Sequence, residues 1–526
     1  MEDHLATIWE AIADELGDAT ALAHGPICRS WSEFDERAGR LAGAFAAAGI
    51  GQGDTVAIDL YNGTEYLEVF FAALKIRAVP ANVNYRYGDA ELESLLRQAD
   101  ARALIYHESL ADRVGPALAA LPDLRLVVCV ERELDDLIAH HDPAPRIERP
   151  ATDVYLSYTG GTTGLPKGVE YVIGASVRNT HVLGRMMLGL DDVDWDGPPV
   201  PRALALAAEG RRPVAIPASP LMHSTGLIMA SLPVLTAGGT VVTLTSRSFD
   251  AHELLTTASA TRARTVSIVG DAMARPMVAA LQSERFDLSN LATISSAGVA
   301  WSAAVKRALL EHIPEVTLVD ACGSTEGVTI GMRAVRRGEE ASTDRFLPAP
   351  GLRLIRDDGS DIPPESAEVG RFMGPTPARG YRGDPERTAA TFREEGGVTF
   401  AIPGDYGQWN PDGTITLIGR GSSVINTGGE KVFAEEVQQV IAAIDGVEDC
   451  AVVGVPDERF GSAVAAVVQL VPTAALGVDD VATAVRDKLA GYKVPRSVLF
   501  APVPRGPNGK LLYPDIRALF ADRREP

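Results

Sequence analysis

The sequence predicts an α/β protein with a large N-terminal domain of mixed, mostly parallel sheets flanked by helices and a small α+β C-terminal domain. The chain has 526 residues, more than a single hydrophobic core usually organises. Short apolar segments rich in β-branched residues alternate with amphipathic segments, a rhythm typical of parallel sheets covered by helices. The flexible sequence GRGSS at 419–423 indicates a boundary. We therefore predict domains over residues 1–420 and 421–526.

The individual elements of the large domain follow from hydrophobic spacing. The segments at 31–49 and 64–76 have near-helical spacing and predict helices, with the buried strand TVAIDL between them. Further strands are predicted in ARALIYH, LRLVVCV, TVVTLT, TVSIVG and TLVDACG. Two stretches break the pattern. Residues 189–213 are acidic and proline-rich and predict a surface insertion, and residues 335–350 predict a loop.

The C-terminal hundred residues repeat this pattern on a smaller scale. FAEEVQQVIAAI and VDDVATAVRDKLAGY predict amphipathic helices, and CAVVGVP and AVAAVVQLV predict strands. This combination predicts the small α+β domain.

Composition and charge exclude several classes of function. The net charge of -21 argues against broad binding to nucleic acid or to anionic lipid, which requires a basic face. The N-terminus is acidic and lacks a sustained apolar region, so no secretory signal is expected. No apolar stretch reaches the roughly 20 residues that span a bilayer, so we expect no integral membrane segment. The four cysteines show no metal-ligand spacing and predict reduced thiols in a cytoplasmic protein.

The most informative segment is SYTGGTTGLPKGV at 157–169, directly after a predicted strand. Its glycines allow the backbone to present N–H groups to phosphate oxygens, its threonines add hydroxyl donors, and its lysine adds a positive charge. It is not a Walker A sequence. A flexible turn with a solvated lysine is the alternative interpretation. The predicted phosphate-binding residues are Thr159, Gly160, Gly161, Thr162, Thr163, Gly164 and Lys167.

This segment resembles the phosphate-loop signature of the adenylate-forming superfamily, which includes acyl-CoA synthetases, nonribosomal peptide adenylation domains and firefly luciferase. Further motifs similar to those of the superfamily follow in the expected order over nearly the whole chain. The resemblance implies an AMP-forming acyl-CoA synthetase that uses ATP, Mg²⁺ and coenzyme A to convert a small-molecule carboxylic acid into a thioester. It also implies that residues 1–420 form the adenylation domain and that residues 421–526 form a mobile domain carrying the adenylation lysine.

DACGSTEGV at 320–328 resembles the superfamily element that binds nucleotide and metal. The resemblance implies that Glu326 holds Mg²⁺, for which a carboxylate is a suitable ligand. Taken alone, a Thr-Glu pair more often begins a helix. The superfamily usually has an aromatic residue where Cys322 stands, so this chain departs from the pattern beside the adenine. The implied nucleotide-binding residues of this element are Cys322, Gly323, Ser324 and Thr325.

GDYGQWNPDGTITLIGR at 404–420 is similar to the ribose-binding element of the superfamily. Asp405 would accept hydrogen bonds from the ribose hydroxyls, and Arg420 would donate to ribose or phosphate. A turn residue after a glycine is the alternative interpretation of Asp405. The NPDG sequence within the element predicts a hairpin turn.

The segments after residue 420 resemble the hinge and the catalytic motif of the C-terminal domain. Ser422 stands at the implied hinge, where Asp or Lys is common in the superfamily. Lys510, in RGPNGKLLY, would stabilise charge on the attacking carboxylate and the α-phosphate, although a lysine in such a turn is ordinarily only solvated. The implied catalytic residues are Lys510, Glu326, Thr163 and Lys167. The implied coenzyme A residues, for which a plain β-turn is the alternative, are Gly428, Gly429, Glu430 and Lys431.

Two further segments concern the acid. PASPLMHSTGL at 217–227 resembles the element that guards the acyl tunnel, which implies that His223 contacts the acyl group, although a core histidine is the alternative. ISSAGVAW resembles the strand and turn that separate the acyl and adenine sites, with Gly298 between them. The Phe249-Asp250 pair lies downstream of the histidine motif and gives no support for an amine site. We therefore expect an apolar acid, either a long-chain fatty acid or a bulky steroid side-chain acid.

Three alternative functions stay open at the level of sequence. A ligase that loads a separate carrier protein and a luciferase-like oxygenase would share these motifs. A non-catalytic nucleotide-binding regulator would keep the fold and lose the catalytic groups. The sequence does not determine the oligomeric state, and a homodimer is one expectation.

Overall fold

The protein, described by a computed structural model, forms two compact units. The described residues are 4–119, 121, 123–161, 164–299, 301–341, 345–420, 424–427, 430–457, 461–489, 491–506 and 511–521. The large unit comprises Met1–Thr343 and Gly374–Ala401, and the small unit comprises Asp344–Met373 and Ile402–Pro526. The predicted α/β class, with a large N-terminal sheet domain and a smaller C-terminal domain, is confirmed. The domain boundary at residue 420 stays a prediction.

The helices begin at recognisable local signals. They are α1 (Leu5–Glu15), α2 (Trp31–Ala47), α3 (Thr64–Lys75), α4 (Asp89–Gln98), α5 (Ala111–Ala119), α6 (Asp135–His140), α7 (Ile173–Met187), α8 (Pro199–Ala208), α9 (Leu232–Thr236), α10 (Ala251–Ala260), α11 (Gly270–Ser283), α12 (Ala303–His312), α13 (Pro385–Thr391), α14 (Ala434–Ala442), α15 (Val478–Lys488) and α16 (Tyr513–Ala521). A capping box precedes α2, in which Ser30 Oγ accepts from the Glu33 N–H and Glu33 Oε2 accepts from the Ser30 N–H. Asp250 caps α10 by accepting from two backbone N–H groups. Asp250 therefore has a structural role at a helix start.

Most of the described strands of the large unit form two mostly parallel sheets. The strands of the chain are β1 (Thr20–His24), β2 (Ile27–Ser30), β3 (Thr55–Asp59), β4 (Val79–Asn82), β5 (Ala101–Tyr106), β6 (Leu126–Cys129), β7 (Val154–Gly161), β8 (Gly164–Val172), β9 (Val214–Pro217), β10 (Thr240–Thr243), β11 (Thr265–Ile268), β12 (Thr293–Ala297), β13 (Thr317–Gly323), β14 (Thr329–Val335), β15 (Arg345–Pro348), β16 (Arg353–Ile355), β17 (Asp361–Ile362), β18 (Gly370–Pro375), β19 (Ala378–Tyr381), β20 (Phe392–Glu395), β21 (Val398–Ala401), β22 (Asp405–Trp409), β23 (Ile415–Arg420), β24 (Val424–Thr427), β25 (Glu430–Phe433), β26 (Val447–Asp457), β27 (Gly461–Leu470) and β28 (Ser497–Phe500).

In the first sheet, β13, β12, β11, β9, β10 and β1 run parallel in that order. Strands β14 and β2 pair antiparallel with β13 and β1. In the second sheet, β7, β4, β3, β5 and β6 are parallel, and β8 and β19 extend it antiparallel. Every residue of β3, β11 and β12 is buried, as expected for strands covered by helices on both faces.

The small unit contains three sheets. Strands β17, β16, β18, β22, β23 and β15 form an antiparallel sheet, and β24 and β25 form a hairpin. In the third sheet β26 pairs antiparallel with β27, which pairs parallel with β28. Its side chains alternate between two cores. Cys450 and Val452 belong to the core with α14 and α15, whereas Ala451 and Val453 pack with Ile516 of α16.

Two predictions of irregular segments were wrong in part. The second half of the predicted insertion at 189–213 forms α8, in which Ala203 and Leu206 are buried. Its prolines had contributed to the prediction of a surface insertion, but proline at the first helical position is preorganised for a helix. Within the predicted loop at 335–350, residues 345–348 form β15. Among the described residues, no helix has the length and apolar character needed to cross a bilayer.

Candidate active site

The glycine-rich segment at 157–169 forms an antiparallel hairpin. Strands β7 and β8 pair with Thr159 opposite Lys167 and Gly161 opposite Gly164. Of the predicted phosphate-binding residues, Thr162 and Thr163 lie outside the described residues, and for Thr159 only the backbone is described. For Gly160, Gly161 and Gly164 the structure gives the strand backbone. The hairpin thus brings both ends of the predicted phosphate loop together.

Lys167 lies beside an aromatic ring near the turn end of this hairpin. Its side chain is half-buried, and its Nζ lies 6.0 Å from the centre of the Tyr381 ring. The next residue, Gly168, faces Tyr158 across the hairpin, and a Cβ at Gly168 would lie 2.6 Å from the Tyr158 ring. Only glycine therefore allows this approach of the two strands.

Glu326 lies in a tight turn between β13 and β14. The Gly327 N–H donates to the Ser324 carbonyl at 3.1 Å, and Gly327 adopts a left-handed backbone conformation with φ of 83°. The Tyr381 hydroxyl donates to Glu326 Oε1 at 2.7 Å. The other carboxylate oxygen, Oε2, is buried and makes no hydrogen bond within the described part of the chain. A buried carboxylate oxygen in this state is suited to bind a cation, because it otherwise bears the cost of desolvation.

The protonation of Tyr381 is favoured by its surroundings. Burial, followed by the charge of the neighbouring Glu326 carboxylate, raises the pKa of Tyr381 well above its ordinary value. The phenol therefore keeps its proton at neutral pH and donates to Glu326.

His223, Gly298 and Cys322 follow or end parallel strands of the first sheet. Strands β9, β11, β12 and β13 are consecutive parallel neighbours, so their carboxyl ends meet at one edge, where ligands bind in open α/β sheets. His223 follows β9, Gly298 follows β12, and half-buried Cys322 with Gly323 ends β13. Gly298 has φ of 88°, and a Cβ there would meet open space. The topology therefore places these three predicted residues at the ligand-binding edge.

The His223 segment is tied to the phosphate hairpin by Asn82, a residue that the sequence analysis missed. Asn82 Nδ2 donates to the carbonyls of Tyr158 at 3.0 Å and Met222 at 2.5 Å, and its Oδ1 accepts from the Tyr158 N–H at 2.5 Å. The His223 carbonyl accepts from Gly226 and Leu227, at the start of a π-helix. Asn82 therefore fixes the spacing between the hairpin and the turn that carries His223. In the sequence, Asn82 is marked only as a polar residue at the end of the apolar segment VPAN.

The predicted ribose element lies in the small unit. Asp405 begins β22 and is buried, and it pairs directly with Arg420 at the end of β23. The intervening turn has Gly413 in a left-handed conformation, as the NPDG sequence predicted. The register therefore brings the backbones of the two predicted ribose contacts side by side.

Several predicted residues are not characterised by the structure. Ser422, Gly428, Gly429 and Lys510 lie outside the described residues. Glu430 and Lys431 lie in β25, paired with Thr427 and Asn426, and only their backbone is described. Their functional roles stay predictions.

An open groove of about 1020 Å³ lies elsewhere in the large unit. None of the predicted catalytic or binding residues that the structure describes lines it. It is bordered by α1, by the segment at 146–149 and by the start of α8, including His4, Glu10, Arg149 and Pro198. Its volume therefore says nothing about the predicted chemistry.

The chain matches the family model for AMP-binding enzymes over residues 9–382 and the model for their C-terminal domain over residues 436–510. The chain therefore belongs to the AMP-binding enzyme family. The predicted class, an AMP-forming acid–thiol ligase with ATP and coenzyme A as co-substrates, is confirmed.

Its relatives include two bacterial CoA ligases. A 3-oxocholest-4-en-26-oate–CoA ligase of Rhodococcus rhodochrous is 36% identical over 98% of this chain and 95% of the relative. The medium-chain acyl-CoA ligase Mig of Mycobacterium avium is 34% identical over 96% of each chain. The crystal structure of the anthranilate CoA ligase AuaEII with anthranoyl-AMP shares the fold, with a TM-score of 0.83 and 23% identity over 99% of this chain and 98% of that one.

Proposed function

We propose that the enzyme activates an apolar carboxylic acid, a long-chain fatty acid or a bulky steroid side-chain acid, and transfers it to coenzyme A. The names of the steroid-acid and medium-chain relatives support this choice of acid. A carboxylate oxygen attacks the α-phosphorus of ATP, and the bond from that phosphorus to pyrophosphate breaks. The coenzyme A thiolate then attacks the acyl carbon, and AMP leaves.

The observation that carries this proposal is the arrangement of Lys167, Tyr381 and Glu326. Tyr381 contacts the lysine through its ring and the carboxylate through its hydroxyl. A cation and a carboxylate thus lie beside the same side chain, close to the turn end of the hairpin. Nucleotide-bound Mg²⁺ usually takes only one or two protein carboxylates, because phosphates and water complete its coordination. Glu326 Oε2 fits this requirement, and Mg²⁺ held there would neutralise phosphate charge.

The remaining roles follow the resemblance and form part of the proposal. Asp405 and Arg420 bind the ribose, and Ser422 is the pivot of a C-terminal domain beginning at residue 421. Lys510 stabilises the adenylation transition state, and the segment 428–431 lines the path of the coenzyme A thiol. Rotation of a small domain about a short hinge is a known way to separate two half-reactions. A homodimer remains part of the expectation.

Pyrophosphate release tests the proposal. The purified enzyme is assayed with ATP and a panel of fatty, aromatic, amino and steroid acids, with and without coenzyme A. Fatty or steroid acids should release pyrophosphate and, with coenzyme A, yield thioester. The Glu326→Gln variant is the matched control and should release little. ATP binding without acid-dependent pyrophosphate release would instead identify a nucleotide-binding regulator.

A second experiment separates the half-reactions. Lys510→Ala should abolish adenylation, because its charge is lost from the transition state. Thioester formation from supplied acyl adenylate should persist. Rapid-quench measurement of each half-reaction checks this, and loss of both in a folded variant would contradict the assigned role.

A further inference from the structure

The Glu326 turn is held by three hydroxyl groups from other elements of the large unit. The Tyr171 hydroxyl donates to the Thr325 carbonyl at 2.7 Å, and Thr376 Oγ1 donates to the Glu326 carbonyl at 2.5 Å. These two contacts fix the main chain of the turn. The Tyr381 hydroxyl is the donor that reaches the carboxylate itself, at Oε1.

Tyr381 is itself firmly held. It is 8% exposed and ends β19, where it pairs with Val169 of β8. Its ring packs edge to face against Phe392, with centres 5.4 Å apart, and its backbone N–H donates to Thr388 Oγ1 at 2.9 Å. Because these contacts restrict rotation of the Tyr381 ring, its hydroxyl has a fixed position and sets the orientation of the Glu326 carboxylate.

We infer that Tyr381 is a positioning residue, which orients Glu326 so that Oε2 would be available to the magnesium of Mg·ATP, while its ring supports Lys167. This inference rests on the proposed function, in which Glu326 is the metal ligand. The hydroxyl occupies Oε1, so the carboxylate offers one oxygen to the metal. Without the hydroxyl, the carboxylate can rotate away from the productive orientation. Loss of a group that orients a metal ligand typically weakens metal binding by roughly 10- to 100-fold.

Two substitutions separate the two contacts of Tyr381. Tyr381→Phe removes the hydroxyl and keeps the ring, whereas Tyr381→Leu removes both. The matched control is Tyr155→Phe, which removes a buried hydroxyl on the same hairpin that bonds Ser176 at 3.3 Å. Isothermal titration calorimetry of ATP binding at increasing Mg²⁺ concentration gives two quantities without turnover: the Mg²⁺-free ATP affinity and the Mg²⁺ concentration for half-maximal enhancement.

The expected results differ among the variants. Tyr381→Phe should raise the half-maximal Mg²⁺ concentration by about 10- to 100-fold and leave the Mg²⁺-free ATP affinity unchanged. Tyr381→Leu should weaken the Mg²⁺-free affinity as well, because Lys167 loses its support. Tyr155→Phe should leave both quantities unchanged. Wild-type Mg²⁺ dependence in a folded Tyr381→Phe variant overturns the inference.

Glu326→Gln distinguishes this failure from failure of the proposed function. If Glu326→Gln loses Mg²⁺ dependence while Tyr381→Phe keeps it, only the positioning role is wrong. If both keep it, the assignment of Glu326 as metal ligand is wrong. Should Tyr381→Phe not fold, Glu326→Asp tests the same contact, because the shorter side chain leaves the hydroxyl. An unchanged Mg²⁺ dependence in Glu326→Asp then overturns the inference.

Discussion

Lys306 is completely buried in the large unit and forms an ion pair with Asp320. Its Nζ lies 2.6 Å from Asp320 Oδ2 and 5.6 Å from the centre of the Trp301 ring. Burial raises the pKa of Asp320, and the lysine opposes this shift. Removing one partner of such a pair leaves an uncompensated buried charge.

We therefore expect Lys306→Met to lower the free energy of unfolding by about 3–5 kcal/mol. The double variant Lys306→Met, Asp320→Leu should recover most of this loss, because neither charge then remains buried. Urea denaturation of the three proteins checks the expectation. A double variant as unstable as the single one would contradict it.

His4 makes stability depend on pH. Its Nδ1 accepts from the Ala6 N–H and caps α1, and burial together with Arg149 and Arg77 lowers its pKa to about 3. Its Nε2 lies 3.7 Å from Asp153, but both oxygens of that carboxylate are already bound by Arg77 at 2.9 Å. The unfolded chain therefore takes up the proton first. The contribution of neutral His4 is complete above about pH 6.5 and is lost as the pH falls towards 3.

His4→Asn should flatten this dependence, because asparagine caps a helix and does not titrate. Between pH 6 and pH 4 the wild-type protein should lose up to about 1.4 kcal/mol per pH unit more than the variant. Urea denaturation across this range measures the difference. If the free energies of unfolding of the wild-type protein and the variant changed with pH in parallel, the pKa of His4 would not be lowered by folding.

At the residue scale, the sequence predicts the charged residues of the candidate site better than the residues that hold them in position. Lys167 and Glu326 were predicted because their chemistry and motif context are distinctive. Tyr381 was missed because its contact with Glu326 joins positions 55 residues apart and depends on the pairing of β19 with β8. A tyrosine at the end of a short strand carries no local mark of that contact.

Among the elements, the β7–β8 hairpin depends on one close approach. Gly168→Ala would place a methyl group against the Tyr158 ring, at the position next to Lys167. We expect a loss of about 1–3 kcal/mol in stability from overpacking and weaker ATP binding from displacement of the lysine. Thermal unfolding and ATP titration measure the two effects.

A second substitution provides the control for this effect. In the double variant Gly168→Ala, Tyr158→Leu the shorter side chain makes room for the methyl group, so ATP affinity should recover in part. No recovery would mean that backbone conformation, and not the ring, requires glycine at residue 168.

Elements with strong periodicity were predicted well, and those with mixed signals were not. The predicted helices at 31–49 and 64–76 correspond to α2 and α3, because the apolar spacing is helical in both, and at α2 a capping box agrees with it. The prediction for 189–213 was wrong in part because the acidic residues of the segment are exposed, whereas Trp195 and part of α8 are buried. Trp195 packs directly on Gly184, where a Cβ would lie 2.2 Å from the ring. The composition of the segment does not predict this contact.

For the molecule as a whole, the first helix is an integral part of the large unit. Trp9 packs against Phe34 and Phe71, and Glu10 binds Lys75 Nζ at 2.9 Å and Arg149 at 2.8 Å. The three charged side chains are almost fully buried. Helix α1 therefore neutralises cations in the interior of the unit.

Deletion of residues 1–17 should prevent folding of the large unit, because Lys75 and Arg149 lose a buried partner and the aromatic cluster loses Trp9. Glu10→Gln, which keeps the helix, should fold with reduced stability. Soluble yield and thermal unfolding compare the two proteins. A soluble, cooperatively unfolding deletion variant would refute this role of α1.

The sequence analysis anticipated two domains but not the path of the chain between the two units. After residues 344–373, which belong to the small unit, the chain returns to the large unit over Gly374–Ala401. A composition change marks a linker such as GRGSS, but nothing local marks a segment that returns to an earlier sheet. That return depends on β19 pairing with β8, a contact between distant parts of the chain.

The returning segment has a consequence for recombination between related genes. A crossover between residues 343 and 374 would take β19 from one parent and β8 from the other, and so would join Tyr381 and Glu326 of different origin. A crossover just after Ala401 would inherit the strand, its partner and both side chains from one parent. Natural or designed hybrids should therefore retain adenylation more often when their junction follows residue 401.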